Sequence, residues 1–188
     1  GICMVSAPLP VVPPEVAVMQ VPSSRKALGA FASTLQGWPS RRIRTIGVTG
    51  TNGKTSTTWL VAAALARLQA PVAQATTVGS YLDREPFEVP RDYHGFLATM
   101  RAGLDRGGRF AAIELTSEAL ALGFIRAWPC CVGVFTNLTR DHLDAHKSAE
   151  HYIASKAQLF LQLPAGGVAV LNAADPASEL LAEVVPDG

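Results

Sequence analysis

The feature that most constrains the fold of this 188-residue chain is a glycine-rich loop at residues 49–55, with the sequence TGTNGKT. An apolar, β-branched run at residues 43–49 predicts a strand before it, and residues 56–68 predict an Ala/Leu-rich helix after it. Glycines let a backbone turn tightly around phosphate oxygens, and the following helix presents its positive N-terminus to the same anion. A strict Walker A pattern has glycine where Val48 stands, so the loop is a variant. The alternative is an ordinary glycine-rich turn.

The rest of the chain continues the alternation of strands and helices. Strands are predicted at 72–75, 110–115, 132–135 and 168–171, and helices at 25–35, 94–105, 118–125 and 149–163, with an irregular polar stretch at 83–92. Nearly continuous apolar strands that alternate with helices indicate an α/β fold, with a parallel sheet and helices on both faces. Ligands collect at the carboxyl ends of such strands. We therefore expect the chemistry just after Val48, Leu115 and Phe135.

Composition narrows the classes of function. With 48% apolar and 16% charged residues the chain can bury a sizeable core, and a net charge of +1 gives no general attraction to nucleic acid. Cys3, Cys130 and Cys131 lack metal-ligand spacing, which indicates reduced thiols in a cytoplasmic protein. No apolar stretch reaches membrane-spanning length. We expect a cytoplasmic monomer acting on small molecules, without nucleic-acid or membrane partners, and a piece of a longer chain, because the sequence begins at Gly1 without methionine.

Two further side chains could serve a phosphate or metal site. Glu114 ends an apolar strand, where a carboxylate is costly unless it is paired or on a metal; the alternative is a glutamate that points to solvent. His142 lies in the sequence Asp-His-Leu-Asp, where a flanking carboxylate could fix the tautomer of a metal-binding imidazole. The alternative there is a surface histidine in an acidic turn, as we expect for His146 and His151. From the residues alone, Lys156 is a solvated lysine on a helix.

Three motifs together resemble successive signatures of the Mur ligase family: residues 49–55, residues 136–144 (TNLTRDHLD) and residues 172–176 (NAADP). The resemblance extends over about residues 43–179 and is nearest to the branch that adds the third residue of the peptidoglycan stem peptide. It implies an ATP-dependent ligase. Such an enzyme joins a carboxylate of a UDP-MurNAc-peptide to an amino acid through an acyl phosphate. It also implies that 41–188 form a P-loop NTPase-like ATP-binding central domain, incomplete at its C-terminal end, and that 1–40 are the tail of an N-terminal domain and a linker.

The resemblance assigns roles to individual residues. The nucleotide would be bound by Gly50, Thr51, Asn52, Gly53, Lys54, Thr55, Ser56 and Asn137. Lys54 would contact the β- and γ-phosphates, and the Thr55 hydroxyl would ligate Mg²⁺. Glu114, His142 and a carbamylated Lys156 would complete the ligands of two Mg²⁺ ions, which with Lys54 form the catalytic set. Thr116 would contact the acceptor substrate.

The acceptor side departs from the family pattern. Glu118 stands where close members have histidine, Phe124 stands where they have an arginine that contacts the nucleotide-sugar, and residues 88–93 lack the expected threonine pair. Two alternatives therefore stay open. One is a ligase that resembles folylpolyglutamate synthase and uses another acceptor; the other is a nucleotide-binding module without catalytic activity.

Overall fold

The computed structural model describes residues 2–8, 11, 12, 14–139 and 149–186. The helices and strands follow in chain order: β1 (Ile2–Val5), β2 (Ala17–Gln20), α1 (Ser24–Leu35), β3 (Arg44–Thr49), α2 (Lys54–Leu68), β4 (Val72–Thr76), β5 (Gly79–Leu82), β6 (Glu85–Pro86), α3 (Tyr93–Asp105), β7 (Phe110–Glu114), α4 (Ser117–Ala121), β8 (Val132–Phe135), α5 (Ala149–Leu161), β9 (Val168–Leu171) and α6 (Ala177–Ala182). Short 3₁₀ helices lie at Pro39–Arg41 and Phe124–Ala127. The predicted helix at 118–125 is thus interrupted, because Gly123 adopts a left-handed conformation with φ 75°.

The main sheet confirms the predicted α/β fold. Its seven strands have the order β6-β5-β4-β7-β3-β8-β9, and β4, β7, β3, β8 and β9 are mutually parallel. Strands β5 and β6 extend one edge in antiparallel orientation, including two residues of the stretch predicted to be irregular. The turn between them places Asp83 and Arg84 at φ 55° and 76°. Two consecutive left-handed residues are the signature of a type I′ hairpin turn, which usually carries Asn or Gly.

Strand β3 occupies the centre of the sheet and brings the site together. Val48 pairs with Glu114 of β7 on one side and with Val134 of β8 on the other. The chain leaves β3 through α2 and crosses β7 to reach β4, whereas β8 lies on the opposite side of β3. The carboxyl end of β3 is therefore a topological switch point, the position at which open parallel sheets bind ligands.

Helices cover both faces of the sheet, as predicted. Ala62 of α2 packs against Val72 and Ala112 on one face. The adjacent residues of the same two strands, Ala73 and Ala111, point to the other face, where they join a core that includes residues of α3 and α5. This alternation follows from the two-residue period of a strand.

The first forty residues form structure that the sequence analysis did not predict in full. Strands β1 and β2 pair in parallel as a separate two-stranded sheet, and α1 contacts the main body through a bond from the Tyr93 hydroxyl to the Gly29 carbonyl, 3.3 Å long. The division at residues 40 and 41 stays a prediction. No helix in the ranges given above is long and apolar enough to cross a membrane.

Candidate active site

The glycine-rich loop is shaped for a phosphate group. Gly50 has φ 148° and Gly53 has φ 79°, conformations that side chains rarely adopt. A Cβ atom at Gly50 would collide with the Oγ1 of Thr136, so only glycine fits there. Gly53 is the N-cap of α2 and supplies no side-chain cap, so the first N–H groups of this 15-residue helix lack a capping side chain. The loop and helix together therefore fit an anion.

Residues after β8 hold this loop in place. The backbone N–H of Thr51 donates to the Asn137 carbonyl over 2.8 Å, and the N–H of Asn52 donates to Asn137 Oδ1 over 2.9 Å. The Thr136 hydroxyl donates to the Asn52 carbonyl over 2.7 Å. The first two family motifs thus meet at the central strands, and Asn137 supports the loop that it was predicted to serve.

Lys54 is the first residue of α2 and folds its side chain back over the loop. Its Nζ donates to the Thr51 carbonyl over 2.8 Å. The ammonium therefore lies against the loop that would surround a phosphate, and it uses one of its three donors on a loop carbonyl.

Glu114 forms a cluster with two threonines. Its Oε2 accepts hydrogen bonds from the Thr55 hydroxyl at 2.8 Å, from the Thr77 N–H at 3.1 Å and from the Thr77 hydroxyl at 3.2 Å. The carboxylate is half-buried, so it does not simply point to solvent. Thr77 was not predicted; the signal was its position just after β4, the parallel neighbour of β7.

The contact between Thr55 and Glu114 provides oxygen atoms that suit Mg²⁺. This ion is usually held by one or two carboxylates together with substrate phosphates and water, so one hydroxyl and one carboxylate beside a phosphate loop fit it. Within the part of the chain that the structure describes, there is no group of three or more His, Cys, Asp or Glu side chains that could hold a metal. The predicted ligand His142 and its neighbour Asp141 lie outside the described residues.

Lys156 does not lie in solvent, so the interpretation drawn from its helical position alone is wrong. Its side chain is only 1% exposed, and its Nζ donates to the Gly50 carbonyl over 2.8 Å. Burial, assisted by repulsion from the Lys54 ammonium, lowers the pKa of Lys156 to about 7. The signal was present in the sequence. Lys156 lies one turn after Tyr152 and one turn before Phe160, on the buried stripe of α5.

Tyr152 links this lysine to the phosphate loop and was missed by the sequence analysis. Its ring centroid lies 4.3 Å from Lys156 Nζ, and its hydroxyl is 3.1 Å from the Thr51 hydroxyl. The same threonine oxygen accepts the N–H of Thr139 over 3.0 Å. Helix α5, the phosphate loop and the segment after β8 therefore share one hydrogen-bond network.

The third motif, at residues 172–176, contacts the beginning of the second motif, at residues 136–138. Asp175 accepts the Leu138 N–H over 2.6 Å and the Ala177 N–H over 2.9 Å, and the Asn172 side chain donates to the Thr136 carbonyl over 2.8 Å. The asparagine and the aspartate of this motif thus fix the backbone that holds the phosphate loop.

A cavity of about 380 Å³ adjoins Glu114 on the side away from the phosphate loop. The predicted substrate residue Thr116 lines it and caps α4 by accepting the Ala119 N–H over 3.1 Å. The segment before α3, which lacks the expected threonine pair, also lines the cavity and contributes Arg91. Glu118 is exposed on α4. The side chain of Phe124 is not among those that the structure describes.

These features define a class of protein: an α/β domain with a variant P-loop at the switch point of a mostly parallel sheet. The sequence model of the Mur ligase middle domain matches residues 48–187. The chain therefore belongs to the Mur ligase family, and the resemblance seen in its three motifs is confirmed.

Curated relatives and solved structures support the same assignment. The chain is 41% identical over 180 residues to the UDP-N-acetylmuramoyl-L-alanyl-D-glutamate–2,6-diaminopimelate ligase of Thermosynechococcus vestitus, covering 92% of this chain and 35% of the relative. It is 38% identical over 191 residues to the Geobacter metallireducens ligase of the same name, covering 94% and 37%. The chain thus spans little more than a third of the length of these relatives.

Two solved structures share the fold. A ligase of the same name superposes with a TM-score of 0.79 at 25% identity, over 96% of this chain and 37% of that one. The folylpolyglutamate synthase of Mycobacterium tuberculosis, complexed with ADP and AMPPCP, superposes with a TM-score of 0.66 at 22% identity, over 86% and 44%. The second likeness is one of fold alone.

Proposed function

We propose that the chain is the nucleotide-binding part of an ATP-dependent carboxylate–amine ligase of peptidoglycan precursor synthesis. The observation that carries the proposal is the 2.8 Å contact between the Thr55 hydroxyl and Glu114, at the end of a phosphate loop. The relatives are named for UDP-N-acetylmuramoyl-L-alanyl-D-glutamate and 2,6-diaminopimelate, which supports these two compounds as acceptor and amino acid. We further propose a cytoplasmic monomer without nucleic-acid or membrane partners.

The phosphate chain of ATP would lie over the loop and the N-terminus of α2. Its oxygens would accept hydrogen bonds from loop N–H groups, and the Lys54 ammonium would turn from the Thr51 carbonyl toward the β- and γ-phosphates. The proposed nucleotide-binding residues are Gly50, Thr51, Asn52, Gly53, Lys54, Thr55, Ser56 and Asn137. Asn137 would act by holding the loop, since its side chain is bonded to Asn52.

Thr55 and Glu114 would hold the Mg²⁺ ion that accompanies ATP, and His142 and Lys156 would serve a second one. A bound Mg²⁺ supplies positive charge where negative charge develops on the transferring phosphoryl group. The pKa of Lys156 near 7 supports a further step, because the neutral amine is the form that attacks CO₂. Its nitrogen would bond to the carbon of CO₂ and release one proton, leaving an anionic carbamate in place of a cation.

The reaction would proceed in two transfers. A carboxylate oxygen of the acceptor attacks the γ-phosphorus of ATP, which releases ADP and forms an acyl phosphate; the amine of the amino acid then attacks the carbonyl carbon and displaces phosphate. The residues of this chain would orient the phosphates and neutralise their charge, and no side-chain nucleophile is needed. Thr116, at the cavity beside Glu114, would contact the acceptor.

A ligase with another acceptor is the second candidate. Glu118 and Phe124 stand where close family members have histidine and arginine, and the fold is shared with a folylpolyglutamate synthase. A nucleotide-binding module without activity is the third candidate. Thr55, Glu114, His142 and Lys156 argue against it, because a pure scaffold needs no second metal site.

The first test measures nucleotide binding by the chain itself. Isothermal titration calorimetry with ADP, in Mg²⁺ and in EDTA, should give binding that Mg²⁺ strengthens. The variant Thr55→Val should abolish that strengthening, whereas Thr57→Val, two positions along the same helix, should preserve it. Nucleotide affinity that Mg²⁺ does not change in the wild-type chain would contradict the metal assignment.

The second test concerns the ligase reaction. Residues 48–187 would replace the matching segment of the Thermosynechococcus vestitus relative, with a Lys54→Ala chimera as the inactive control. Phosphate release that requires both UDP-N-acetylmuramoyl-L-alanyl-D-glutamate and 2,6-diaminopimelate would support the proposed reaction. ATP binding without such release would refute this acceptor and favour one of the other two candidates.

A further inference from the structure

Arg91 is the one basic side chain that lines the cavity beside Glu114, among the residues that the structure describes. Its Nη2 donates to the Val78 carbonyl over 3.1 Å. A guanidinium has five N–H donors in a planar fork, so this single bond leaves most of them for a ligand. The sequence analysis assigned Arg91 no role.

The position of Arg91 is tied to that of Glu114. The residue before Val78 is Thr77, whose N–H and hydroxyl both donate to Glu114. The Arg91 guanidinium is therefore hydrogen-bonded to Val78 and the Glu114 carboxylate to the adjacent Thr77. Both charged side chains line the same cavity. A ligand with two separated polar groups could contact both regions at once.

The acidic residue next to Arg91 does not neutralise it. Asp92 also lines the cavity, but its Oδ1 accepts the Gly95 N–H over 2.9 Å and caps α3, where the helix N-terminus stabilises its charge. The salt bridge that the described side chains form between Arg101 and Asp105 does not involve Arg91. The guanidinium of Arg91 thus contacts a carbonyl and no carboxylate.

We propose that Arg91 binds a carboxylate of the acceptor other than the one that ATP activates. The inference rests on the proposed ligase function, in which the activated carboxylate must lie near Glu114 and the phosphate loop. Arg91 would hold the second carboxylate through a fork of two parallel hydrogen bonds, while Phe96, Ile113 and Trp128 contact the carbons between the two groups. The substrate class is then an acceptor that ends in a dicarboxylate.

The same placement accounts for one departure of this chain from its family. Phe124 stands where close members have an arginine that contacts the substrate. The basic residue nearest to it in sequence, Arg126, lines a separate groove and not this cavity. Arg91 would supply a guanidinium from the segment before α3.

The experiment uses the 188-residue chain and L-alanyl-D-glutamate, the dicarboxylate end of the acceptor named for the relatives. Binding is followed by NMR through the indole N–H of Trp128, which lines the cavity; Trp38 and Trp59 do not, so Trp38→Phe and Trp59→Phe identify the remaining signal. The two monoamides, L-alanyl-D-glutamine and L-alanyl-D-isoglutamine, are titrated beside it. Arg67→Gln, an exposed arginine at the end of α2, is the matched control.

In the wild-type chain the dicarboxylate should bind about tenfold more tightly than the monoamide that lacks the Arg91 partner. Arg91→Gln should remove that difference, Arg91→Lys should keep part of it because the charge remains without the fork, and Arg67→Gln should leave it unchanged. A loss in Arg91→Gln that is equal for all three ligands, or no loss at all, would overturn the proposal.

A titration with MgADP separates this inference from the proposed function. A shift of the Gly53 amide with MgADP, and none of Trp128 with the dipeptide, would overturn the role of Arg91 and leave nucleotide use intact. Selective binding of the dipeptide through Arg91, without any response to MgADP, would support the acceptor site and refute the ATP-dependent reaction.

Discussion

Lys156 allows the sharpest prediction, because the chain buries an amine that ordinarily carries a charge. The perturbation is Lys156→Met, which keeps most of the length of the side chain and an apolar stem. Burial lowers the pKa of Lys156 from its ordinary value of 10.5 to about 7. At pH 7 this shift corresponds to a cost of roughly 4 kcal/mol in the free energy of folding. The variant loses the bond to the Gly50 carbonyl, which contributes about 1 kcal/mol. We therefore expect Lys156→Met to be more stable than the wild type at pH 7 by roughly 3 kcal/mol.

The pH dependence gives the sign of the effect. Between pH 7 and 10.5 the amine of Lys156 is protonated in the unfolded chain and largely neutral in the folded one, so the unfolded state binds more protons. The stability of the wild type must then rise with pH, by up to about 1.4 kcal/mol per pH unit. Below pH 7 both states are protonated and the cost is present in full; above 10.5 it is gone. As the pH rises, the stability advantage of Lys156→Met over the wild type should therefore shrink to zero. Above pH 10.5 the wild type should be the more stable protein by about 1 kcal/mol.

Urea unfolding followed by far-UV circular dichroism, at pH 7, 8, 9 and 10, measures both quantities. CO₂-free buffer with EDTA keeps the amine free of carbamate and metal. Other groups that titrate in this range are common to both proteins, so they cancel in the difference. Lys26→Met, at an exposed position of α1, is the control and should follow the wild type. If the free energy of unfolding changed with pH equally in the wild type and in Lys156→Met, or if the variant were less stable at pH 7, the assignment of a buried, largely neutral amine would be refuted.

Three further predictions test the rest of the site. Gly50→Ala should cost more than 2 kcal/mol in a urea titration, because a Cβ there meets Thr136, whereas Gly53→Ala should cost only about 1 kcal/mol of left-handed strain; equal costs would contradict this account. Glu114→Gln should lower MgADP affinity about tenfold or more by calorimetry, to the value for ADP in EDTA, and an unchanged affinity would exclude Glu114 as a metal ligand. Tyr152→Phe keeps the ring beside Lys156 but loses the hydroxyl bond, so stability should fall by about 1 kcal/mol with the pH dependence unchanged.

The elements that the sequence predicted well are those whose signal is local. The strand at residues 43–49, the loop and the helix after it could be predicted because apolar runs and glycines determine local backbone geometry. Strands β5 and β6 could not, because they are two to four residues long and their turn uses Asp83 and Arg84 in place of Asn and Gly. The parallel pairing of β1 with β2 joins segments more than ten residues apart, and no local sequence pattern predicts it.

The environments of the site residues were harder to predict than their identities. Lys156 was named through family resemblance, and the buried stripe of α5 indicates its burial, but its contact with the Gly50 carbonyl depends on the loop that α5 packs against. Glu114 and Thr55 were each predicted to bind Mg²⁺, but only the sheet, by pairing β3 with β7, brings their oxygens within 2.8 Å of each other. The contacts of Thr77, Arg91 and Tyr152 were missed because each is made to a residue that is distant in sequence.

The structure separates the phosphate loop from the cavity in which we propose that the acceptor binds, so the residues of one can change while those of the other are kept. The phosphate loop, which follows β3, is held by the segment after β8 and by Lys156 of α5. The cavity is lined by the ends of β4 and β7 and by the segment before α3. Glu114 belongs to both, since it contacts Thr55 and also lines the cavity. Replacements at Arg91 should therefore alter acceptor binding without changing nucleotide affinity, whereas a replacement of Glu114 should disturb both. An exchange of acceptor would then require changes in the cavity lining alone, and residues 90–93, part of the stretch that lacks the family's threonine pair, belong to that lining.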